Sequence, residues 1–258
     1  MKEVSVAIIG CGPAGMFAAE ACRQQGITPR ILAPRKSMST IGGAQYLHKE
    51  IPGLTGKADG LIHYRKLGTR DGYANKVYGN LKMQVSWDTF DEGARPFWSL
   101  QSAYALAWLR SSETIREISV IPGHLRALIN SYDLVINTAP KKMLCLQPDR
   151  HTFTSQRVYL TVPEKRVDLR AENQIVYNGQ PRVRWYRWSF INGLGSYEFS
   201  FDPGYTKKQV IEIHKPLNNF CDCHESDKYL EVGRYGRWQK GALTHEAYFL
   251  TMEALDAL

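Results

Sequence analysis

Apolar positions along the chain fall into two successive patterns, and their order predicts the architecture. Residues 4–9 (VSVAII) form a short apolar run rich in β-branched side chains, closed by Gly10. Such a run marks a strand buried on both faces of a parallel sheet. Residues 13–25 place Met16, Phe17, Ala19 and Cys22 on one side of a helix, and Gly26 stands where that helix should end. A second strand over 28–33 completes a βαβ unit. Between 42 and 91 glycine and tyrosine are frequent and periodicity is weak, so loops are expected there. GYANKVYG at 72–79 and Trp87-Asp88 read as ligand-facing loop. A helix over 98–109 carries Leu100, Tyr104 and Trp108 on one face, and Pro122 opens a short helix to 130. Residues 133–139 (DLVINTA) are again a buried strand. Runs at 156–161, 174–177, 182–190 and 208–214 then predict successive antiparallel strands, before a glycine-rich loop and terminal helix within 230–258.

The first strand–turn–helix junction reads Gly10-x-Gly12-x-x-Gly15. Gly10 permits the tight turn, Gly12 lets bare main chain approach a pyrophosphate, and Gly15 lets helix and strand pack closely. The helix N-terminus, through Pro13 and Ala14, adds amide donors and a positive dipole end. Charge agrees with this: 33 Lys and Arg against 25 Asp and Glu leave +8, which favours an anionic partner without choosing one. The positive residues form no long run, so most of them solvate the surface. The chain starts directly into a strand, without a charged n-region and long apolar h-region, and carries no apolar stretch near the ~20 residues of a membrane span. The five cysteines make no even disulfide framework, and a reducing cytoplasm is expected.

Two further constellations carry candidate chemistry. On a strand, Arg182, Arg184, Tyr186 and Trp188 would share one face, able to clamp an anionic substrate, to stack single-stranded bases, or only to cover apolar surface with arginine stems. Cys221-x-Cys223-His224, with Cys145 and His151, raises a metal site, but one residue between paired cysteines departs from zinc-ribbon and finger spacing, and no metal is expected. The seven histidines are scattered, and no Ser–His–Asp or HExxH constellation assigns a catalytic residue.

GCGPAG at 10–15 with the helix after it resembles the start of FAD-dependent oxidoreductases, and Ile41-Gly42-Gly43 resembles the Gly-Gly that many of them carry after the second strand. YDLVINTAP at 132–140, which includes Thr138, resembles the late strand of the amine oxidase and UDP-galactopyranose mutase group. PRVRWYRWSF at 181–190 is similar to a substrate-domain strand of that group, with Arg184 at the arginine. Gly233-Arg234 resembles the C-terminal segment that closes over the flavin, and Thr244 is placed to cap the helix that follows. These landmarks come in the family's order across nearly the whole chain. They imply FAD as cofactor, held by the residues named and by Arg35.

The implied fold is α/β: a Rossmann-like FAD-binding domain with a parallel sheet, plus a smaller, mainly antiparallel inserted substrate region. The expected parts are residues 1–60, 114–145 and 228–258 for FAD, with 61–113 and 146–227 for substrate. One departure stands out. The family's acidic ribose partner after the second strand is replaced by Ala33-Pro34, then Arg35 and Lys36. Either adenosine is held differently or the basic pair meets an extra phosphate, as in NADP; the flavin landmarks favour FAD. The expected activity is an oxidoreductase acting on a small polar or anionic substrate. The alternatives are a mutase-like flavoenzyme without net redox change and a non-catalytic nucleotide-binding module.

Overall fold

The first apolar run becomes strand β1 (Val6–Ile9), with all four residues buried. The computed structural model describes residues 4–79, 85, 87, 93–162, 164–165, 172–206 and 209–258. Helix α1 (Pro13–Gln24) begins on proline, and Gly26 beyond its end sits at φ +73°. In chain order there follow β2 (Arg30–Ala33), β3 (Tyr46–Leu47), β4 (Gly60–Gly68), α2 (Arg70–Tyr78), β5 (Ala94–Ser99) and α3 (Leu100–Ser111). Next come β6 (Ile115–Glu117), α4 (Pro122–Ser131), β7 (Leu134–Asn137) and the short α5 (Lys141–Leu144). The rest is β8 (Thr152–Thr161), β9 (Glu164–Lys165), β10 (Gln174–Gly179), β11 (Arg187–Ile191), β12 (Leu194–Phe199), β13 (Val210–Phe220), β14 (Tyr229–Glu231), α6 (Gly233–Gly236) and α7 (Glu246–Asp256).

Five strands form a parallel sheet in the order β14-β7-β1-β2-β6. Side chains alternate across β1. Val6 and Ile8 join a core with Met16 and Phe17 of α1, Tyr104 of α3 and Tyr248 of α7, while Ala7 and Ile9 pack with Leu125 of α4 and Leu144. Both faces are therefore covered, which explains the unbroken apolar run, and each large buried side chain contributes roughly 1.5–3 kcal/mol. The remaining strands build a second sheet in the order β13-β8-β12-β11-β10-β4-β5-β3, with β9 beside β12. Its pairs are antiparallel apart from β10 on β4. The α/β fold with a parallel sheet and a second, mainly antiparallel region is thus present. The chain crosses directly between the sheets at 145–151, from β7 and α5 into β8, and returns at 221–228, from β13 into β14. Among the described residues no helix is long and apolar enough to cross a membrane.

Three expectations need correction. GYANKVYG is helix, not loop, with 72–78 inside α2: Thr69 caps it by accepting from Gly72 N–H, at 3.1 Å. Its glycine serves close packing rather than flexibility, since a Cβ on Gly72 would lie 2.0 Å from the Gly179 carbonyl oxygen of β10. Of the adjoining Trp87-Asp88, Asp88 lies outside the described residues, as does Lys208 in the expected strand 208–214, of which β13 supplies the described part. Residues 182–186 are not strand. β10 and β11 are antiparallel neighbours, so the chain must reverse between them, and it does so with Val183 N–H donating to Gln180 O at 3.2 Å. Finally, helix α7 starts after His245 and has no side-chain cap, so Thr244 does not cap it.

Candidate functional site

The glycine turn opens onto a groove at the carboxyl ends of β1 and β2, where open α/β sheets characteristically bind ligands. The first cavity, of about 640 Å³, is lined by Gly10 and Gly12, by Ala33 to Arg35 after β2, by Ile118 to Val120 after β6, and by Thr138 after β7. The second, of about 320 Å³, is lined by Gly12, Pro13 and Ala14, by Thr40 to Gly42, and by Thr138, Lys215, Arg234, Tyr235 and Thr244. The two share Gly12, Ser39, Thr40, Thr138 and Tyr235, so the groove runs past the turn on both sides.

The three glycines do different work. Gly10 sits at φ +101°, and a Cβ on Gly15 would stand 2.1 Å from the Gly10 carbonyl oxygen, so both are demanded by the protein's own packing. A Cβ on Gly12 would meet only Ser39 Oγ, at 3.8 Å. Nothing in the polypeptide requires a glycine there; the bare main chain faces the groove. Thr138 Oγ1 donates to Ile9 O at 2.8 Å and anchors β7 to the turn. Gly233 does not line the groove but packs on α1, where its Cβ would fall 2.7 Å from that of Ala14. Gly43 lies off both cavities, against Leu160 and Ser196 of the second sheet.

At the far end of β2, Arg35 lines the first cavity, while Lys36 is occupied elsewhere. Its backbone N–H donates to Glu117 Oε1 at 2.8 Å and its Nζ pairs with Glu113 at 3.3 Å. The acidic group next to this end of β2 is therefore Glu117 on β6, whose register places it opposite Ala33.

A third cavity, of about 260 Å³, continues the groove under the second sheet and shares Lys215 and Arg234 with the second. Glu198 of β12 organises it. Arg187, its cross-strand partner on β11, reaches Oε1 at 3.0 Å, Lys215 of β13 reaches Oε2 at 2.5 Å, and the Tyr186 hydroxyl donates to Oε2 at 2.8 Å. Arg234 joins them from α6, donating from Nη2 to Pro216 O at 3.2 Å. Among the described lining residues Glu198 is the one acid, set against Lys66, Arg187, Lys215, Arg234 and Lys240. The cavity is net positive.

Burial and these partners fix the charge states. Burial pushes the Glu198 carboxyl up, but Lys215 and Arg187 outweigh it and bring it down to about 2. Burial brings the Lys215 ammonium down to about 8 despite Glu198. Tyr177 is pushed up to about 12 by burial, and Tyr73 and Tyr186 also lie above the usual phenol range, so all three are neutral donors. Desolvation, with the charges of His245 and Arg187 adding to it, lowers His48 and favours its neutral imidazole. Lys215 is then the lining group able to exchange a proton close to neutral pH.

No protein-family model matches the chain, and no curated protein matches it in sequence. Solved structures do match. A reduced UDP-galactopyranose mutase is similar over 98% of this chain and 95% of that one, at 12% identity and a TM-score of 0.55. HpxO of Klebsiella pneumoniae, complexed with FAD and uric acid, is similar over 97% of this chain and 79% of that one, at 12% identity and a TM-score of 0.54. A tetrameric 2-methyl-3-hydroxypyridine-5-carboxylic acid oxygenase follows over 98% and 87%, at 12% identity and a TM-score of 0.51. The chain has the fold of these enzymes, one of which was solved with FAD.

In that fold, the residues expected at the cofactor divide. Gly10, Gly12, Pro13, Ala14, Arg35, Gly42, Thr138, Arg234 and Thr244 are brought to the groove, and Gly15, Gly43 and Gly233 pack the elements around it. Of the expected substrate residues, Tyr186 lines the third cavity, whereas Arg182 and Arg184 are exposed and Arg184 lies over the Phe201 ring at 5.0 Å. The arginine that this stretch gives the cavity is Arg187, one residue beyond Tyr186. Sequence reasoning missed Glu198 and Lys215 altogether. Glu198 had one local signal, a charge set between two aromatic residues in SYEF at 196–199, whereas Lys215, beside Glu212 and His214 in IEIHKPL at 211–217, had none.

Proposed function

We propose that the chain is an FAD-binding flavoprotein, an oxidoreductase of the amine oxidase and UDP-galactopyranose mutase-like group, acting on a small anionic substrate. The observation that carries this reading is the continuity of the groove from bare main chain at Gly12 to a net-positive, tyrosine-lined cavity. The residues fit the cofactor: the backbone amides opening α1 suit a pyrophosphate, and the cavity past Ala33 suits an adenosine, with Arg35 in place of a ribose acid. Gly42, Thr138, Tyr235 and Thr244 line the part of the groove left for the flavin. When bound, the flavin supplies the electron transfer, and the polypeptide supplies binding and electrostatics.

Arg187 and Lys215 hold the substrate's negative charge, the neutral tyrosines donate hydrogen bonds, and Glu198 keeps both cations in place. Lys215 Nζ, at the junction of the second and third cavities, moves a proton there. The test is spectroscopic. Purified protein should be yellow and release FAD on denaturation, identified by mass spectrometry, and the bound flavin should be bleached by NAD(P)H or a candidate substrate. A flavin that turns over only after dithionite reduction, without net oxidation, replaces this reading with the mutase-like one. A colourless protein that is stabilised by ADP or NADP replaces it with a nucleotide-binding module.

A further inference from the structure

Outside the groove, three cysteines and a histidine from three places in the chain converge. Cys145 follows α5, His151 immediately precedes β8, and Cys221 and Cys223 follow β13. Their ligand atoms all lie within 4.8 Å of one another. Cys145 Sγ is 3.7 Å from Cys221 Sγ and 3.8 Å from Cys223 Sγ, and His151 Nδ1 is 3.2 and 3.3 Å from the sulfurs of Cys145 and Cys223.

We propose that Cys145, His151, Cys221 and Cys223 form a structural zinc site that staples together two of the segments linking the parallel sheet to the second sheet, 145–151 and 221–228. With Zn–S bonds of about 2.3 Å and a Zn–N bond of about 2.0 Å, a tetrahedron has S···S edges of about 3.8 Å and S···N edges of about 3.5 Å. Cys145 already stands at the first value from both other sulfurs, the imidazole has to move out from Cys145 and Cys223 by about 0.3 Å to reach the second, and the remaining edges lie within 4.8 Å. All the cysteines are free, and the sulfurs are far beyond disulfide bonding distance, about 2.05 Å. Three thiolates and one imidazole at tetrahedral spacing select zinc over harder cations.

The surroundings have the form that metal-ligating groups need. His151 presents Nδ1 to the sulfurs while its Nε2 faces Asp222 Oδ1 at 3.2 Å, which fixes the ring and its tautomer. Gln147 N–H donates to Cys145 Sγ at 3.4 Å, a bond that a thiolate strengthens. His224 Nε2 lies 2.7 Å from Leu144 O and ties the same two segments directly. In-line spacing argued against a metal because zinc ribbons and fingers draw paired cysteines from one loop; here the tetrahedron takes two ligands from the outgoing crossing and two from the returning one. With all four positions filled by protein, no site is left for substrate, so the role is structural. The proposal is independent of the flavin reading.

The experiment is metal analysis of the full chain expressed in zinc-supplemented medium. About one zinc per chain is expected, released in step with mercurial titration of three thiols, and cobalt(II) exchanged into the folded protein should show thiolate charge-transfer and tetrahedral d–d bands. Cys221→Ser with Cys223→Ser should lower zinc content at least tenfold. Should that variant fail to fold, the wild-type chain decides alone: chelation should expose segments 145–151 and 221–228 to proteolysis, and zinc should protect them again. Less than a tenth of an equivalent of zinc without cobalt bands, a disulfide among these cysteines in the native protein, or iron in excess of zinc overturns the proposal.

Discussion

Replacing Gly12 by valine separates a ligand site from an ordinary tight turn. The backbone at Gly12 is extended, φ −70° and ψ 179°, which any residue before a proline adopts readily. The new Cβ would meet only Ser39 Oγ at 3.8 Å, an ordinary contact. Stability of the ligand-free fold should therefore change by no more than about 1 kcal/mol. Flavin binding should disappear, because the side chain fills the space beside the main-chain amides. With FAD at about a thousandfold excess over Kd, wild-type protein gains about 4 kcal/mol by mass action. For a domain of this size that raises Tm by roughly 10 °C. Gly12→Val should show no such rise. Gly15→Ala is the opposite control: its Cβ would lie 2.1 Å from Gly10 O and 3.1 Å from Thr138 Oγ1, so it should destabilise the ligand-free protein, by about 1–3 kcal/mol or more. Differential scanning calorimetry with and without FAD reads both variants. Stoichiometric flavin in Gly12→Val, or an apoprotein as weakened as Gly15→Ala, would refute the assignment of this space to a ligand.

Other expectations come from the charged cavity. Glu198→Gln leaves Arg187 and Lys215 buried without their counter-charge and should destabilise the protein by about 3–5 kcal/mol in urea titrations; a smaller loss than 1 kcal/mol, roughly the value of an exposed pair, would show the cluster to be solvated. Because the folded-state value for Glu198 is about 2 against an ordinary 4.5, its contribution is complete above about 4.5 and is lost as pH falls through about 2; the variant should show a flatter stability profile over that window. Lys215 has the reverse sign: its folded value of about 8 lies under 10.5, so its burial penalty is complete below 8 and relieved as pH rises from 8 towards 10.5. Sulfate, as a probe anion, should therefore raise Tm more at pH 6.5 than at pH 9.5, and Lys215→Met should remove that difference; a pH-independent sulfate effect in wild type would place the anion elsewhere. Arg234→Ala should weaken flavin binding by fluorescence titration, since Arg234 borders both the second and third cavities, and an unchanged Kd would count against closure by α6.

Local sequence determined the elements whose physics is local. The VAII run could bury both faces only inside a parallel sheet, and Gly10, Gly12 and Gly15 stand at the separations a strand–turn–helix junction imposes, so the groove's first wall was legible before any fold. Tertiary structure decided the rest. Glu198, Arg187 and Lys215 come from three strands and meet because β11, β12, β8 and β13 lie side by side, a register that no single strand encodes. In GYANKVYG, Gly72 is demanded by close packing of α2 on β10, a contact invisible in its own composition. The cysteine cluster spans 145 to 223 and closes only where two crossings run alongside one another. In each case long-range pairing, with its large loop-closure entropy, selects the neighbours, and one chain segment carries too little information to name them.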